Sequence, residues 1–375
     1  MPEENERKRL LSLDVFRGIT VAGMVLVNNP GTWDAIYPPF EHAEWHGWTP
    51  TDFIFPFFLF IVGIAISFAL GKRVERGVTE DIYIKIFRRA AIIFLLGLFI
   101  SAFPFFNLYT LRIPGVLQRI AVCYLIVSLI FLHTNWKQQT IIGISLLLVY
   151  WILMSVIYVP GCEITTYDDK DCNLAAFIDR SVFGDNHIWI LGKVYDPEGL
   201  LSTIPALATA ISGVLTGTWL KLQRSDYEKV AGMFFFGVIL TAIGWIWNLF
   251  FPINKALWTS SYVVFTAGIA LCFLSFCYFL IDIKNYTKWT KPFVIFGTNA
   301  LALYFLAELT AKILDLIPMT ADDGTLTSLQ GWIFNTFFAP IAAPMTASLM
   351  YAICYDLLWL FLMWLLYRKR IFIKV

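Results

Sequence analysis

The sequence predicts an all-α polytopic membrane protein, because of its composition, its long apolar segments and the distribution of its basic residues. Of 375 residues, 58% are apolar and only 15% are charged, whereas a soluble domain carries about 25% charged residues. The mean hydropathy is +0.69. These values exclude a disordered chain and an ordinary soluble enzyme. The net charge of +1 gives no indication of a nucleic-acid partner.

About ten segments can cross a bilayer as helices, since a span needs about 20 mostly apolar residues. They lie near residues 12–30, 53–71, 88–106, 114–133, 139–159, 199–220, 230–250, 257–281, 292–314 and 345–367. The stretch 331–344 contains Pro340 and Pro344 and indicates a half-helix or re-entrant turn, with an eleventh span as the alternative. We treat residues 1–375 as a single transmembrane domain with a long outer loop, 160–198, between spans five and six.

Basic residues indicate the orientation of the spans. With the N-terminus in the cytoplasm, 20 of the 28 Lys and Arg residues lie in cytoplasmic segments and five on the opposite side. Cytoplasmic loops carry such an excess, so we predict that both termini are cytoplasmic. The excess includes Arg7, Lys8, Arg9 and Lys374. Asp14 and Arg17 interrupt the first apolar segment, so we expect it to be a permanent span rather than a cleaved signal peptide.

The outer side is expected to be an oxidising compartment, which affects the state of the cysteines there. Cys162 and Cys172 share the outer loop, and two thiols there favour a disulfide over two free thiols. The other cysteines are expected to be small core residues. They are Cys123, Cys272, Cys277 and Cys354. No spacing of Cys or His indicates a metal site.

Two of the four histidines of the chain lie in the segment 31–50, between the first two spans. His42 and His46 stand there among Trp and Pro residues, and histidine is the natural proton acceptor near neutral pH. Asp52 or Glu44 is expected to orient an imidazole. Because Asp52 also falls in a first helical turn, capping is its alternative role.

Other polar groups inside spans cluster towards the outer side, which predicts a cavity reached from outside. Arg119 lies about one turn into the fourth span and needs an acceptor, so a pair with Glu198 is expected. The remaining members of the cluster are Asn254, Lys255, Asn299 and Glu308, and Trp258 stands beside them. In the first span, Asp14 and Arg17 share a helix face. They form either an interfacial ion pair or a site where Arg17 faces a cofactor phosphate.

Eight short segments occur in an order that is similar to one known family. They are 12–18, 27–31, 42–52, 112–119, 159–162, 195–200, 252–258 and 367–372. Over nearly the whole chain they resemble the membrane domain of heparan-alpha-glucosaminide N-acetyltransferase and its bacterial relatives. The chain is expected to lack the N-terminal luminal region and the additional first span of the animal enzymes.

The resemblance implies transfer of acetyl from cytoplasmic acetyl-CoA to an amino sugar across the membrane, in a bacterial inner membrane. The role of the active histidine falls on His42, and Asn28 matches a family Asn that would stabilise the oxyanion. Two departures leave the acceptor open. His46 stands where the animal enzyme has Asn, and Leu306-Ala-Glu308 stands where Gly-His-Glu is expected.

The remaining roles follow from charge and position. Acceptor contacts are assigned to Arg119, Glu198, Asn254, Lys255 and Trp258. Contacts with the CoA phosphates are assigned to Arg17, Arg88 and Arg89. A homodimer is compatible with the aromatic surface, which lipid contact explains equally well.

Two other functions stay open. One is O-acetylation of an envelope glycan by the same histidine. The other is secondary transport of a sugar or an acidic solute, which buried Arg119, Glu308 and Lys312 would suit. Against transport, no internal repeat and no pair of broken helices is apparent in the sequence.

Overall fold

The computed structural model describes residues 10–320 and 324–373 and is almost entirely helical. Within those ranges the α-helices are α1 (Leu11–Asn28), α2 (Ile54–Glu75), α3 (Glu80–Ala102), α4 (Val116–His133), α5 (Trp136–Val156), α6 (Leu174–Phe183), α7 (Thr203–Lys221), α8 (Asp226–Trp247), α9 (Ser260–Tyr278), α10 (Lys291–Thr298), α11 (Ala300–Leu316), α12 (Leu329–Ile333) and α13 (Pro344–Arg368). A small antiparallel hairpin joins β1 (Pro318–Thr320) to β2 (Leu326–Ser328), with Met319 opposite Thr327. Of the predicted cytoplasmic charges, Arg7, Lys8, Arg9 and Lys374 lie outside the described residues.

All ten predicted segments fold as helices, and eight helices in the described part of the chain are long and apolar enough to cross a bilayer. These eight are α1, α2 with its preceding turn, α4, α5, α7, α8, α9 with its following turn, and α13. A ninth span results if α10 and α11 are counted together. The helix α3 has 23 residues but carries Lys85, Arg88 and Arg89 in its first half. Length and composition therefore support an all-α membrane protein, and among the described residues eight or nine of the ten predicted segments meet the criteria of length and apolarity.

The predicted ninth span is bent by 82° where α10 meets α11. Asn299 lies at the break, and its side chain holds the segment that follows α13. Its Nδ2 donates to the Ile371 carbonyl at 3.2 Å, and its Oδ1 accepts from the Ile373 amide at 2.8 Å. The stretch 331–344 forms the end of α12 and a π-helical turn, Phe334–Phe338. Its helical part ends before Pro340 and is too short to span a bilayer.

The helices α2 and α7 form the centre of the bundle and touch through their backbones. A Cβ added at Gly63 would lie 1.9 Å from the carbonyl oxygen of Ala210. One added at Gly213 would lie 1.9 Å from the carbonyl oxygen of Phe60. Small residues allow such close approach between membrane helices. The helices α1, α4 and α9 pack against this pair.

The connections α1–α2, α3–α4, α5–α7, α8–α9 and α11–α13 lie at one end of the bundle, called here the outer end, and the beginning of α1 lies at the opposite, inner end. The longest outer connection contains α6 and the disulfide Cys162–Cys172. Trp45 anchors this loop to the α1–α2 connection, because its indole N–H donates to the Tyr167 carbonyl at 3.0 Å. Of the other cysteines, Cys123 and Cys277 are buried, whereas Cys354 is exposed on α13.

Candidate active site

Asp52 links the fold of the α1–α2 connection to the orientation of His42. One carboxylate oxygen, Oδ2, accepts from the backbone amides of Ala43 at 3.1 Å and Thr49 at 2.9 Å. The other, Oδ1, lies 2.7 Å from His42 Nδ1. The side chain of Asp52 is fully buried. The two roles expected for Asp52, capping and orienting, are thus divided between its two oxygens, and Glu44 is exposed.

The surroundings of His42 favour a neutral imidazole with a lone pair on Nε2. A carboxylate only accepts hydrogen bonds, so Nδ1 carries the proton that Asp52 binds. Lys255 Nζ lies 3.0 Å from Nε2. Partial burial, followed by the charge of Lys255, lowers the pKa of His42 below its ordinary value of 6.5, although Asp52 opposes the shift. The His42 side chain keeps 48% of its surface accessible, as a proton acceptor for a substrate requires.

Lys255 belongs to the same charged cluster. Burial lowers the pKa of Lys255, while the carboxylates of Glu198 and Asp52 counteract the shift. The residue precedes α9 in the turn 252–258, where Trp258 has a φ of 53°. Lys255 is therefore placed to donate a hydrogen bond towards any oxygen held beside His42.

A second ion cluster, centred on Arg112, lies at the same end of the bundle. Its guanidinium binds Asp196 through two bonds of 2.8 and 2.7 Å and Glu198 through one of 2.6 Å. Burial opposes the charge of Arg112, but the bonds to both carboxylates raise its pKa above the ordinary value. Sequence reasoning treated Arg112 only as a loop charge. The two carboxylates at 196 and 198, just before α7, indicated an acidic partner for an outer arginine, but the sequence did not indicate that this arginine is Arg112.

Arg119 does not form the expected pair with Glu198. Its NH2 group donates to the Gly199 carbonyl at 3.0 Å and to Ser202 Oγ. The guanidinium also lies 5.0 Å above the ring of Trp258. Glu198 is already held by Arg112, and Arg119 binds the backbone oxygen of the next residue, Gly199. Arg119 is only 2% exposed and Trp258 is fully buried, so both lie beneath the accessible surface of the site.

A second histidine–aspartate pair lies next to Asn254. His46 Nε2 is 2.9 Å from Asp168 Oδ1, and Asn254 Nδ2 is 3.3 Å from His46 Nδ1. Asn254 also accepts from the Leu257 amide at 2.8 Å, which fixes its turn. Asp168 belongs to the loop that the Cys162–Cys172 disulfide closes. No local pattern marked Asp168 as a partner, because it is 122 residues from His46.

Asn28 pairs with Glu308. Its Nδ2 donates to Glu308 Oε1 at 2.9 Å, across 280 residues of sequence. Lys312, one turn further along α11, donates to the Ile100 carbonyl at 2.6 Å. In the structure His42 directly contacts both Asp52 and Lys255. Asn28, at the end of α1, is bound instead to Glu308 of α11.

At the inner end, two of the three predicted phosphate-binding cations line one cavity of about 270 Å³. Arg17 lies on one wall and donates to Asp14 Oδ1 at 2.6 Å. Arg89 lies on another and stacks 4.8 Å above the Tyr124 ring. Arg17 therefore forms the expected ion pair and also lines a cavity, while its contact with a cofactor phosphate stays a prediction. Arg88 is exposed and does not line the cavity.

Comparison with known proteins assigns the family. Residues 9–228 match the family model described as heparan-alpha-glucosaminide N-acetyltransferase, catalytic. The chain belongs to this family. The family match includes His42, Asp52, Arg112 and Glu198 and ends before Lys255. The prediction made from the eight segments is thereby confirmed.

Curated relatives extend the likeness over almost the whole chain. The chain is 28% identical to the heparan-alpha-glucosaminide N-acetyltransferases of Mus musculus and Homo sapiens, over 424 and 430 aligned positions. Each alignment covers 98% of this chain and 60% of the relative. The chain therefore spans about three-fifths of the length of the curated relatives that it matches.

Proposed function

We propose that this protein is a transmembrane N-acetyltransferase of the bacterial inner membrane. It moves acetyl from cytoplasmic acetyl-CoA to the amine of a glucosamine-type sugar on the periplasmic side. The observation that carries the proposal is the contact of His42 with Asp52 and Lys255, in a chain of this family. The inner end of the bundle is the cytoplasmic end and the outer end is periplasmic.

The donor enters the inner cavity. A CoA molecule is anionic, and the guanidinium groups of Arg17 and Arg89 suit its phosphates because arginine binds phosphate through paired hydrogen bonds. Arg88 is exposed on the turn of α3 beside Arg89 and is assigned a contact with phosphate outside the cavity. The wall of the cavity that α2 forms, from Phe58 to Leu70, is apolar and suits the acyl-bearing arm of the donor.

His42 supplies the acid–base chemistry. In direct transfer, Nε2 accepts a proton from the sugar amine as the amine nitrogen bonds to the acetyl carbon, and the C–S bond of the thioester breaks to release CoA as a thiolate. The proton then passes to the thiolate, so the products are an amide and free CoA. In the covalent route, Nε2 itself attacks the thioester and CoA thiolate departs. The amine then attacks the acetyl-imidazole. Both routes use the Nε2 lone pair, and Asp52 holds the required tautomer.

The acetyl oxygen becomes negative in either route and needs a hydrogen-bond donor. Lys255 is the donor nearest to His42 Nε2. Asn28 is retained as a second donor, because Glu308 engages its amide nitrogen through one N–H and an amide nitrogen carries two. Glu308 then sets the orientation of the Asn28 side chain.

The acceptor sugar is assigned to the outer polar surface. The carboxylate of Glu198 attracts the ammonium group of the sugar before that group loses its proton. The side-chain amide of Asn254 forms hydrogen bonds with sugar hydroxyls. Arg119 has an indirect role beneath this surface, because it binds the Gly199 carbonyl and so fixes the turn next to Glu198. The ring of Trp258 packs against its guanidinium. Arg112 joins this set because it fixes Glu198.

The test is acetyl transfer from isotope-labelled acetyl-CoA to glucosamine by the purified protein in proteoliposomes. We expect labelled N-acetylglucosamine from the parent and at least about a hundredfold less from His42→Ala. His133→Ala is the matched control, since His133 is exposed and bonded to Tyr83. Equal loss in both variants, or full activity in His42→Ala, would contradict the proposal.

Two further readouts separate the alternatives. Label retained on the protein without acceptor supports the acetyl-imidazole route, and its absence during turnover supports direct transfer. Product that mild alkali cleaves is an ester and would assign the protein to glycan O-acetylation. Solute uptake that is independent of acetyl-CoA would assign it to transport.

A further inference from the structure

His46 is the histidine of the α1–α2 connection that the proposed reaction does not use. Its Nε2 lies 2.9 Å from Asp168 Oδ1, and its Nδ1 lies 3.3 Å from Asn254 Nδ2. A carboxylate only accepts hydrogen bonds, so the Nε2 of His46 carries a proton. Asn254 Oδ1 already accepts from the Leu257 amide at 2.8 Å, so the Asn254 amide nitrogen donates to the lone pair on Nδ1. Both contacts together require a neutral imidazole with its proton on Nε2, whereas His42 carries its proton on Nδ1.

His46 joins two segments of the site proposed for acetyl transfer. In the α1–α2 connection it stands four residues after His42, and its partner Asn254 directly precedes Lys255 in the turn 252–258. The Lys255 Nζ lies 3.0 Å from His42 Nε2. The position of the Lys255 ammonium therefore depends on how this turn is held against the connection.

Three further bonds support the same junction. The Gly47 amide donates to the Ile253 carbonyl at 2.8 Å. The carbonyl of Tyr167, in the outer loop, accepts from the Trp45 indole at 3.0 Å. The Tyr167 hydroxyl donates to the Phe250 carbonyl, just before the turn, at 3.0 Å. The outer loop therefore bridges the two segments that His46 joins.

The disulfide Cys162–Cys172 closes the part of the outer loop that holds His46. Thr166 Oγ1 donates to Asp168 Oδ2 at 3.2 Å, which leaves Oδ1 for His46. The Thr166 amide in turn donates to the Cys172 carbonyl at 3.0 Å. A disulfide restricts the conformations of the segment that it closes, so a constrained segment presents Asp168 to the imidazole.

We propose that His46 is a positioning residue of the acetyl-transfer site. With Asp168 it holds the turn 252–258 against the α1–α2 connection and so keeps Lys255 beside His42. The disulfide-closed loop holds this junction in place. The inference rests on the proposed function, because Lys255 and His42 are the groups that act on the acetyl donor and the amine there. His46 itself takes no proton from the substrate.

Substitutions of His46 test this role. His46→Ala loses both hydrogen bonds of the imidazole, so we expect the kcat of acetyl transfer to fall about tenfold with an unchanged KM for acetyl-CoA. His46→Gln keeps a donor and an acceptor in one side chain and is expected to recover most of the activity. A residue that transfers protons would lose as much activity in the glutamine variant as in the alanine variant, and that result would overturn the proposal.

The pH profile separates a displaced Lys255 from a general loss of packing. Partial burial and the charge of Lys255 lower the pKa of His42, while Asp52 and Glu198 raise it. When the turn is released, the charge of Lys255 moves away and the pKa of His42 rises. We therefore expect the acidic limb of kcat/KM to move to higher pH in His46→Ala and to keep its parental position in His46→Gln. An unmoved limb in His46→Ala would contradict the proposal.

The disulfide-closed loop is tested in the same assay. Asp168→Ala removes the partner of His46, and we expect kcat to fall about threefold, because the pair is partly exposed. The double variant Cys162→Ser with Cys172→Ser is expected to show a similar fall. Asp169→Ala is the matched control, since Asp169 is exposed in the same loop and its carboxylate accepts from an amide of that loop. An equal loss in the control would count against the proposal.

Hydrogen exchange of the whole protein in detergent measures the junction without any turnover. We expect the peptide that covers the turn 252–258 to exchange faster in His46→Ala and Asp168→Ala than in the parent and the control variant, because the Leu257 amide is bonded to the Asn254 side chain. Unchanged exchange in both variants would overturn the inference, whether or not the protein transfers acetyl. Absence of acetyl transfer in the parent would overturn the proposed function, while faster exchange in the variants would still support the junction.

Discussion

The two ends of the bundle hold their charged side chains in different ways. At the outer end, His42 is bound to Asp52, and Arg112 is bound to both Asp196 and Glu198. Arg112 is held by partners 84 and 86 residues away, and His42 by a fully buried carboxylate of its own connection. Such fixed geometry is what proton transfer and charge stabilisation require, because the groups need no rearrangement during reaction.

At the inner end, the cations leave space between them. Arg17 donates to its neighbour on the same helix, Asp14, and Arg89 stacks on Tyr124. Both face a cavity of about 270 Å³. The difference teaches that the outer end is organised before any ligand binds, whereas the inner end leaves a cavity beside its cations, which is the place proposed for the anionic donor.

The largest effect is expected from a substitution of Asp52, at the outer end of the bundle. In Asp52→Asn the side-chain amide donates to Nδ1 and leaves the proton on Nε2, which is the wrong tautomer. We expect kcat to fall about a thousandfold or more, with normal expression. The measurement is acetyl transfer at saturating substrates. Glu44→Gln is the control, and a comparable loss there would show that Glu44 orients the imidazole instead.

Stability provides the next contrast. In Arg112→Gln, the buried carboxylates of Asp196 and Glu198 lose their cation, so we expect a loss of about 3 kcal/mol. The matched variant is Arg180→Gln, whose partner Asp171 is 57% exposed and for which we expect less than about 1 kcal/mol. Chemical unfolding of both variants measures the difference. Equal effects would mean that the buried cluster contributes no more than a surface pair.

The inner end is tested through the affinity for the proposed donor, acetyl-CoA. We expect Arg89→Gln to raise the KM for acetyl-CoA about tenfold while kcat changes little, because one charged hydrogen bond to phosphate is lost. Arg73→Gln, on the exposed end of α2, is the control. An unchanged KM in Arg89→Gln, with binding of acetyl-CoA intact by calorimetry, would remove the cavity from the donor site.

The smallest effect is a displaced pH profile. The pKa of His42 lies below 6.5 because of partial burial and the charge of Lys255. Since the neutral imidazole is the active form, kcat/KM stays on its plateau as pH falls through 6.5 and declines only below that pH. Lys255→Gln removes the cation, so we expect the acidic limb of the profile to move to higher pH. An unmoved limb would show that Lys255 does not control the proton affinity of His42.

The parts that the sequence could predict were those set by local pattern. The apolar runs determined where the helices formed, and the ten-residue separation of His42 and Asp52 lies within one connection. The contacts of Arg112, His46 and Asn28 could not be predicted, since their partners lie 84, 122 and 280 residues away. Only helix packing brings such groups together.

The break at Asn299 was missed for a similar reason. The segment 292–314 is as apolar as its neighbours, and the bend depends on bonds from Asn299 to the chain beyond α13. The predicted pair of Arg119 with Glu198 was wrong because two arginines, Arg112 and Arg119, lie near the turn that contains Glu198. The sequence does not say which of them reaches the carboxylate.

The divided carboxylate of Asp52 constrains how this family can diversify. The same side chain closes the turn that enters α2 and fixes the proton on His42. A descendant that abandoned histidine chemistry would still require the aspartate for its backbone, whereas a descendant that lost the aspartate would lose turn and tautomer together. Asp52 is therefore expected to be retained in relatives that have replaced His42, because its bonds to the backbone amides of Ala43 and Thr49 do not depend on the histidine.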